Sequence, residues 1–325
     1  MRVYIKSLFY NMNLPVLSRI SLLKLCSVCV FFGRAYEHIF FDAPFRSILW
    51  DEALLSPVVE VIFKTNWNDY VTDITLDNAI QTFIQALGIF YLVCGLICTL
   101  INKKNFRIYQ YFLVLGTGAL ILLAFLDAKS NFYHFSMFLE HAIQFGSPLA
   151  LLLYFKTGYW KSWQIFTLKL IIAGTFLSHG LYAIGWPYPL PGNFVTMTMN
   201  ILSISEDSAK SFLLIAGCLD LLVAVLIFIP VTLKIALIYA AIWGFVTALS
   251  RIISGFTYEL SPLIIHQYMY ATIYRIPHGL FPLFTLLIID QMPSNNSKNT
   301  ANEIKSTTIY PLIRYCGFSG TKLSS

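Results

Sequence analysis

Long apolar runs separated by short polar stretches dominate this chain. The runs fall near 20–42, 79–102, 107–126, 134–155, 163–185, 208–231, 234–254 and 263–290. Each is long enough for a hydrocarbon core that needs about 20 apolar residues. The backbone must satisfy its own hydrogen bonds there, so each run predicts a helix. Residues 43–78 and 186–207 are too polar to cross and form the two long connections. The expected fold class is all-α: a polytopic membrane bundle of about eight transmembrane helices.

Composition supports lipid as the setting. Of 325 residues, 57% are hydrophobic and 12% charged, and the mean hydropathy is +0.69. A soluble domain has about a quarter of its residues charged. The first twenty residues alternate polar and apolar, and no small-residue cleavage site follows the apolar run from Leu22, so no cleavable leader is expected. The cysteines form no metal pattern. Cys26 with Cys29 and Cys94 with Cys98 fall inside predicted helices and read as small packing residues.

Charge fixes an expected orientation. With the N-terminus in the cytoplasm, the inner side collects Lys103, Lys104, Arg107, Lys156, Lys161, Lys169 and Lys234 together with the basic residues of both ends. The outer side holds Arg46, Lys64, Lys129 and Lys210. That bias puts both termini in the cytoplasm, and a bacterial inner (plasma) membrane is the expected location. The acids run the other way, with Asp51, Asp69, Asp73, Asp77, Asp127 and Glu206 outside. The net charge of +6 records this topology and contact with anionic lipid rather than nucleic-acid binding. The Ser-, Asn-, Thr- and Lys-rich tail at 291–325 reads as a disordered cytoplasmic segment.

The chain also reads as written twice. RAYEHIFFDAPF (Arg34–Phe45) aligns with TFLSHGLYAIGWPYP (Thr175–Pro189), bringing His38 onto His179. DNAIQTFIQALG (Asp77–Gly88) aligns with EDSAKSFLLIAG (Glu206–Gly217), and LGTGAL (Leu115–Leu120) with WGFVTAL (Trp243–Leu249). FLEHAIQFGSPL (Phe138–Leu149) aligns with YRIPHGLFPLF (Tyr274–Phe284), pairing His141 with His278. The shared order predicts two parallel four-helix repeats, 1–160 with an extracytoplasmic insertion at 43–78, and 161–290.

The second half, LIIAGTFLSHGLYAIGWPYPLPGNFVTMTMNIL followed by SISEDSAKSFLLIAGCLDLLVAVLIFIP, resembles the DoxX-like family of four-helix membrane proteins. The resemblance rests on His179-Gly180 near the outer end of one helix and on Gly217 followed by Asp220 in the next. Two features depart from the family pattern: Asp220 stands where Glu is usual, and the early basic residue is at best Lys169. The first half keeps His38, lacks the glycine after it and has Tyr91 in place of the acid. The resemblance implies a membrane bundle linked to quinone or thiol redox chemistry, with quinone or a small sulfur compound as ligand and other membrane redox subunits as partners.

The predicted spans carry Arg34, Glu37, His38, Glu140, His141, His179, Asp220, Arg251, Arg275 and His278. Such groups are costly in lipid, so they should face the bundle interior and pair. Arg34, Glu37 and His38 share one helix face at i, i+3 and i+4. The expected ion pairs are Arg34 with Glu37, Asp220 with Arg251, and Arg275 with Glu37 or Glu140. His38, His179, Glu140, His141, Arg275 and His278 are expected to line one polar pocket in the outer half of the bilayer, beside the helix-interrupting Pro277. Histidine suits such a site because it donates, accepts and exchanges a proton near neutral pH.

Four functions fit this pattern: a redox membrane subunit, a transporter of a small polar solute, a haem protein, and an assembly protein held by packing alone. A haem would need two of the four histidines as axial ligands, and no spacing singles out a pair, so haem is not expected. There is no Walker loop, nucleotide fingerprint, zinc motif or nucleophile elbow, which argues against soluble-cofactor enzymology and against a resident metal.

Overall fold

The computed structural model describes residues 19–290, and the polar tail expected at 291–325 lies outside the described residues. The chain divides into two units, Met1–Leu286 and Leu287–Ser325. The first holds the polar groups and cavities; of the second, residues 287–289 complete the last helix.

Among the described residues there are helices and no strands. In chain order they are α1 (Arg19–Phe40), α2 (Arg46–Leu49), α3 (Glu52–Val61), α4 (Trp67–Thr72) and α5 (Ile74–Leu100). Next come α6 (Phe106–Ser130), α7 (Phe135–Glu140), α8 (Ala142–Thr157), α9 (Ser162–Ile184) and α10 (Gly192–Leu202). The series ends with α11 (Glu206–Leu226), α12 (Leu233–Ile253), α13 (Ser261–Ile273) and α14 (Pro277–Ile289). Polar residues in the connections start several helices. The Asp73 carboxylate accepts from the Thr75 amide at 2.7 Å, and the Ser205 hydroxyl accepts from the Ser208 amide at 3.4 Å. These satisfy amide groups that have no partner inside the helix.

Six of these segments are long and apolar enough to cross a membrane: α5, α6, α9, α11, α12 and the α13–α14 pair taken together. The chain is thus a polytopic integral membrane protein in contact with lipid, and its described residues form an all-helical fold. The sequence pattern suggested two more, and each falls short for a physical reason. α1 carries Arg19, Lys24, Arg34 and Glu37 in 22 residues. It can do so because neighbours shield it: Leu23, Cys26, Val30, Phe31 and His38 have no exposed surface. The run at 134–155 is broken at His141 into α7 of 6 residues and α8 of 16, neither reaching the roughly 20 that a crossing needs.

α1 packs along α5 and also touches α8 and α13, while α9 packs along α11 and touches α7 and α8. The α9–α11 crossing is close because glycines face each other. A Cβ on Gly180 would lie 2.9 Å from the Gly217 carbonyl oxygen, and one on Gly217 would lie 2.9 Å from that of Gly180. Small residues permit such backbone approach between membrane helices. The crossing carries His179 and Asp220 on its flanks, both facing one apolar cavity.

Candidate functional site

The α1 face formed by Arg34, Glu37 and His38 begins the polar interior. Arg34 Nη1 meets Glu37 Oε2 at 2.6 Å. Its Nε and Nη2 both donate to Gln144 Oε1 on α8, at 3.0 and 2.8 Å. The guanidinium also lies 4.2 Å from the Tyr274 ring centroid, a favourable cation–π placement. Arg275, in the turn between α13 and α14, pairs through Nη2 with Glu140 Oε1 and donates from Nη1 to the Tyr274 hydroxyl at 2.8 Å. Tyr274 therefore meets both guanidiniums. Arg34 and Arg275 thus each have a carboxylate, which offsets the cost of burying their charge.

The breaks in the helices place these groups. Glu140 ends α7 and Gln144 lies in the first turn of α8, so the interruption at His141 sends one toward Arg275 and the other toward Arg34. Residues 274–276 interrupt the other long run before Pro277, and there Tyr274 and Arg275 turn inward.

Backbone carbonyls fix three of the histidine tautomers. His38 Nδ1 bonds the Arg34 carbonyl at 2.8 Å, His141 Nδ1 that of Met137 at 2.7 Å, and His278 Nδ1 that of Arg275 at 2.9 Å. A carbonyl can only accept, so each Nδ1 carries a hydrogen and each neutral ring presents a lone pair at Nε2. His141 Nε2 lies 3.2 Å from Asp127 Oδ2, although the alignment falls short of a hydrogen bond and Oδ2 has no hydrogen-bonding partner. The Nε2 atoms of His38, His179 and His278 are buried without a partner. His179 and His278 stand edge to face with centroids 5.6 Å apart. His38 contacts Tyr91 in the same way at 5.1 Å.

Two cavities open among these groups. The larger, about 560 Å³, is polar and is lined by Arg34, Glu37, Asp127, Glu140, His141 and Tyr274, with α10 and α13 residues closing it. The smaller, about 160 Å³, is mostly apolar, with Phe176, Met197, Ile201, Phe212 and Leu213 in its wall and His179, Asp220 and His278 among its polar atoms. Phe194, Arg251 and Arg275 line both.

The six residues expected in one pocket are thus distributed. Glu140 and His141 border the polar cavity, His179 and His278 the apolar one, and Arg275 both. His38 borders neither and instead fills the α1–α5 contact against Tyr91. The Arg34–Glu37 and Arg275–Glu140 contacts are present. The expected Asp220–Arg251 pair is not. Asp220 accepts from Trp243 Nε1 at 3.3 Å and from the Tyr239 hydroxyl at 3.5 Å. Those two residues mark its level on α12, and Arg251 lies two turns beyond, about 12 Å at 1.5 Å per residue.

Asp127, Tyr274, Tyr239 and Trp243 did not stand out in the sequence. The apolar run stops at Leu126, so the sequence alone places Asp127 in an outer loop. The helix continues to Ser130 and carries Asp127 inward. Its spacing from the inward-facing Leu120, Leu123 and Ala124 was the available signal. The aromatic partners carried no such signal, since Tyr and Trp are common at membrane interfaces. No family model, no curated protein and no solved structure matches the chain.

Proposed function

We propose that this protein binds an amphipathic small molecule, with the apolar part in the smaller cavity and the polar end at Arg251 and Arg275. The observation that carries the reading is that an apolar and a polar cavity share those two arginines. Ile201, Leu202, Phe212 and Val246 line the apolar cavity and are also exposed on the flank of the bundle, so a ligand can enter from the bilayer. Added ligand should raise the unfolding midpoint of the detergent-solubilised protein, because anything that binds the folded state stabilises it. Ala216→Phe, which fills the apolar cavity from α11, should abolish that rise while leaving the helical content intact. A ligand-induced rise of equal size in Ala216→Phe would overturn the reading.

The DoxX-like, quinone- or thiol-linked redox subunit is a second reading. What favours it is that the residues of the resemblance, His179-Gly180 and Gly217 with Asp220, meet at one helix crossing beside the apolar cavity. The His278 lone pair would accept from a quinol hydroxyl, and the buried Arg275 Nε, which has no protein partner, would donate to a quinone carbonyl. Mass spectrometry of the organic extract of the purified protein tests it. Recovery of quinone in stoichiometric amount supports this reading, and a ligand without a redox-active ring removes it.

We further propose two parallel four-helix repeats and eight crossings, with α1 and the α7–α8 pair as the shielded seventh and eighth. Several features support the arrangement. α1–α5 and α9–α11 each cross at a glycine, Gly88 against Ala35 and His38, and Gly217 against Gly180. Each final helix is interrupted beside a histidine, His141 or His278, and each packs on the first helix of the other repeat. Both termini are assigned to the cytoplasm of a bacterial inner membrane. A cysteine introduced at Asp69, between the first and second crossings, should react with an impermeant maleimide added to intact cells. Reaction only after the membrane is opened would invert the topology.

A further inference from the structure

Arg251 stands apart from the other interior arginines. Arg34 and Arg275 each meet a carboxylate, and Arg46 in the connection after α1 meets Asp42 and Asp77. Arg251 has no carboxylate within 4.0 Å among the described residues, and its guanidinium lies 6.0 Å from the Phe194 ring centroid. It sits in the last turn of α12 and lines both cavities. Where they meet, two guanidiniums, Arg251 and Arg275, face one carboxylate, Glu140. The other two carboxylates of the polar cavity, Glu37 and Asp127, lie against Arg34 and His141, so Arg251 is left without a direct counter-charge. A second donor points the same way, because Arg275 spends Nη1 and Nη2 on Tyr274 and Glu140 and leaves a buried Nε unpartnered.

An uncompensated cation in a membrane bundle is costly, and an oxyanion is the group that compensates it. Guanidinium binds carboxylate or phosphate through paired N–H donors. The anion would arrive beside a cavity of about 160 Å³, near the 150 Å³ of an apolar cavity that takes up benzene. The enclosed part therefore holds about six carbons, and the rest of a longer chain would follow the lateral opening past Leu202 and Val246 toward lipid. We propose that Arg251, assisted by Arg275 Nε, anchors the anionic head of a single-chain amphiphile, a fatty carboxylate or a phosphate monoester drawn from the membrane. The proposal rests on reading the joined cavities as an amphiphile site and adds the charge of the head group. A quinone ring brings acceptors to Arg251 but no charge to balance it.

The test uses the full chain in an uncharged detergent, with thermal shift and quenching of tryptophan fluorescence by 9,10-dibromostearate, since Trp243 lines the apolar cavity. The probes are oleate, oleyl phosphate, oleyl alcohol, decylubiquinone and inorganic phosphate. Oleate or oleyl phosphate should bind at least about tenfold more tightly than oleyl alcohol or decylubiquinone, a conservative value for one charge-assisted contact. Arg251→Gln should erase that preference, leaving all chains bound alike. Arg251→Lys, which keeps the charge and loses the planar fork, should retain part of it. Equal binding of oleate and oleyl alcohol by the unaltered protein overturns the anion assignment and leaves the cavity reading standing. So does an undiminished preference in Arg251→Gln. Inorganic phosphate protecting as well as oleyl phosphate overturns the membrane origin of the ligand. If no chain binds and Ala216→Phe changes nothing, the cavity reading fails, and the anion assignment fails with it.

Discussion

Arg275→Gln should destabilise the protein by about 3–5 kcal/mol, the usual cost of removing one partner of a buried ion pair. The side chains of Arg275 and Glu140 are 12% and 7% exposed, so water would do little to solvate the carboxylate left behind. The substitution also removes the donor to the Tyr274 hydroxyl and hence part of the support for the ring that Arg34 lies against. Denaturant or thermal unfolding in detergent measures the loss. The double variant Glu140→Gln/Arg275→Gln should be more stable than the sum of its two single losses predicts, because it leaves no charge uncompensated. Strict additivity would show that the two residues do not act as a pair.

Gly244→Ala should cost about 1–3 kcal/mol or more, the range for forcing extra atoms into a packed contact. Gly244 on α12 faces the start of α14, and an added Cβ would collide with the carbonyl of His278 and reach within 2.7 Å of the Gly279 amide nitrogen. The obstacle is backbone, so no side-chain rotation relieves it. Moving α14 away would also carry the His278 ring from its place opposite His179. Gly118→Ala is the control: nothing lies within 4 Å of its Cβ position on α6, and exchanging a helical glycine for alanine gains up to about 1 kcal/mol in propensity. If both variants unfold at the same midpoint, the α12–α14 contact is looser than its geometry indicates.

How much of this could be read from the chain depended on the range of the interaction. The apolar runs gave the helical membrane class, since lipid leaves few other solutions for a backbone. The Arg34–Glu37 contact was legible because it lies within one turn of α1. Contacts between helices were not legible in the same way. Asp220 and Arg251 looked complementary, yet their relative depth depends on where α11 and α12 cross, and that level belongs to Tyr239 and Trp243. The break at His141 was hidden because an apolar run shows where lipid can be but not whether the axis is continuous. His38 and His179 look alike as text. One ends against Tyr91 and the other beside a cavity, because the helices around them carry different side chains.

The interruption at 274–276 divides the polar wall from the apolar one. Gln267, Tyr268, Tyr270 and Ala271 of the larger cavity lie on α13, before the turn. His278 of the smaller cavity lies on α14, after it. α13 is held against α1: a Cβ on Gly33 would lie 2.9 Å from the Tyr270 carbonyl oxygen, and Tyr36 and Phe41 pack on the rings of His266 and Tyr270. Arg275 sits at the joint, tied to Glu140 across the bundle. One run of chain thus furnishes walls of opposite character to two adjoining compartments, and the Arg275–Glu140 pair fixes the corner they share.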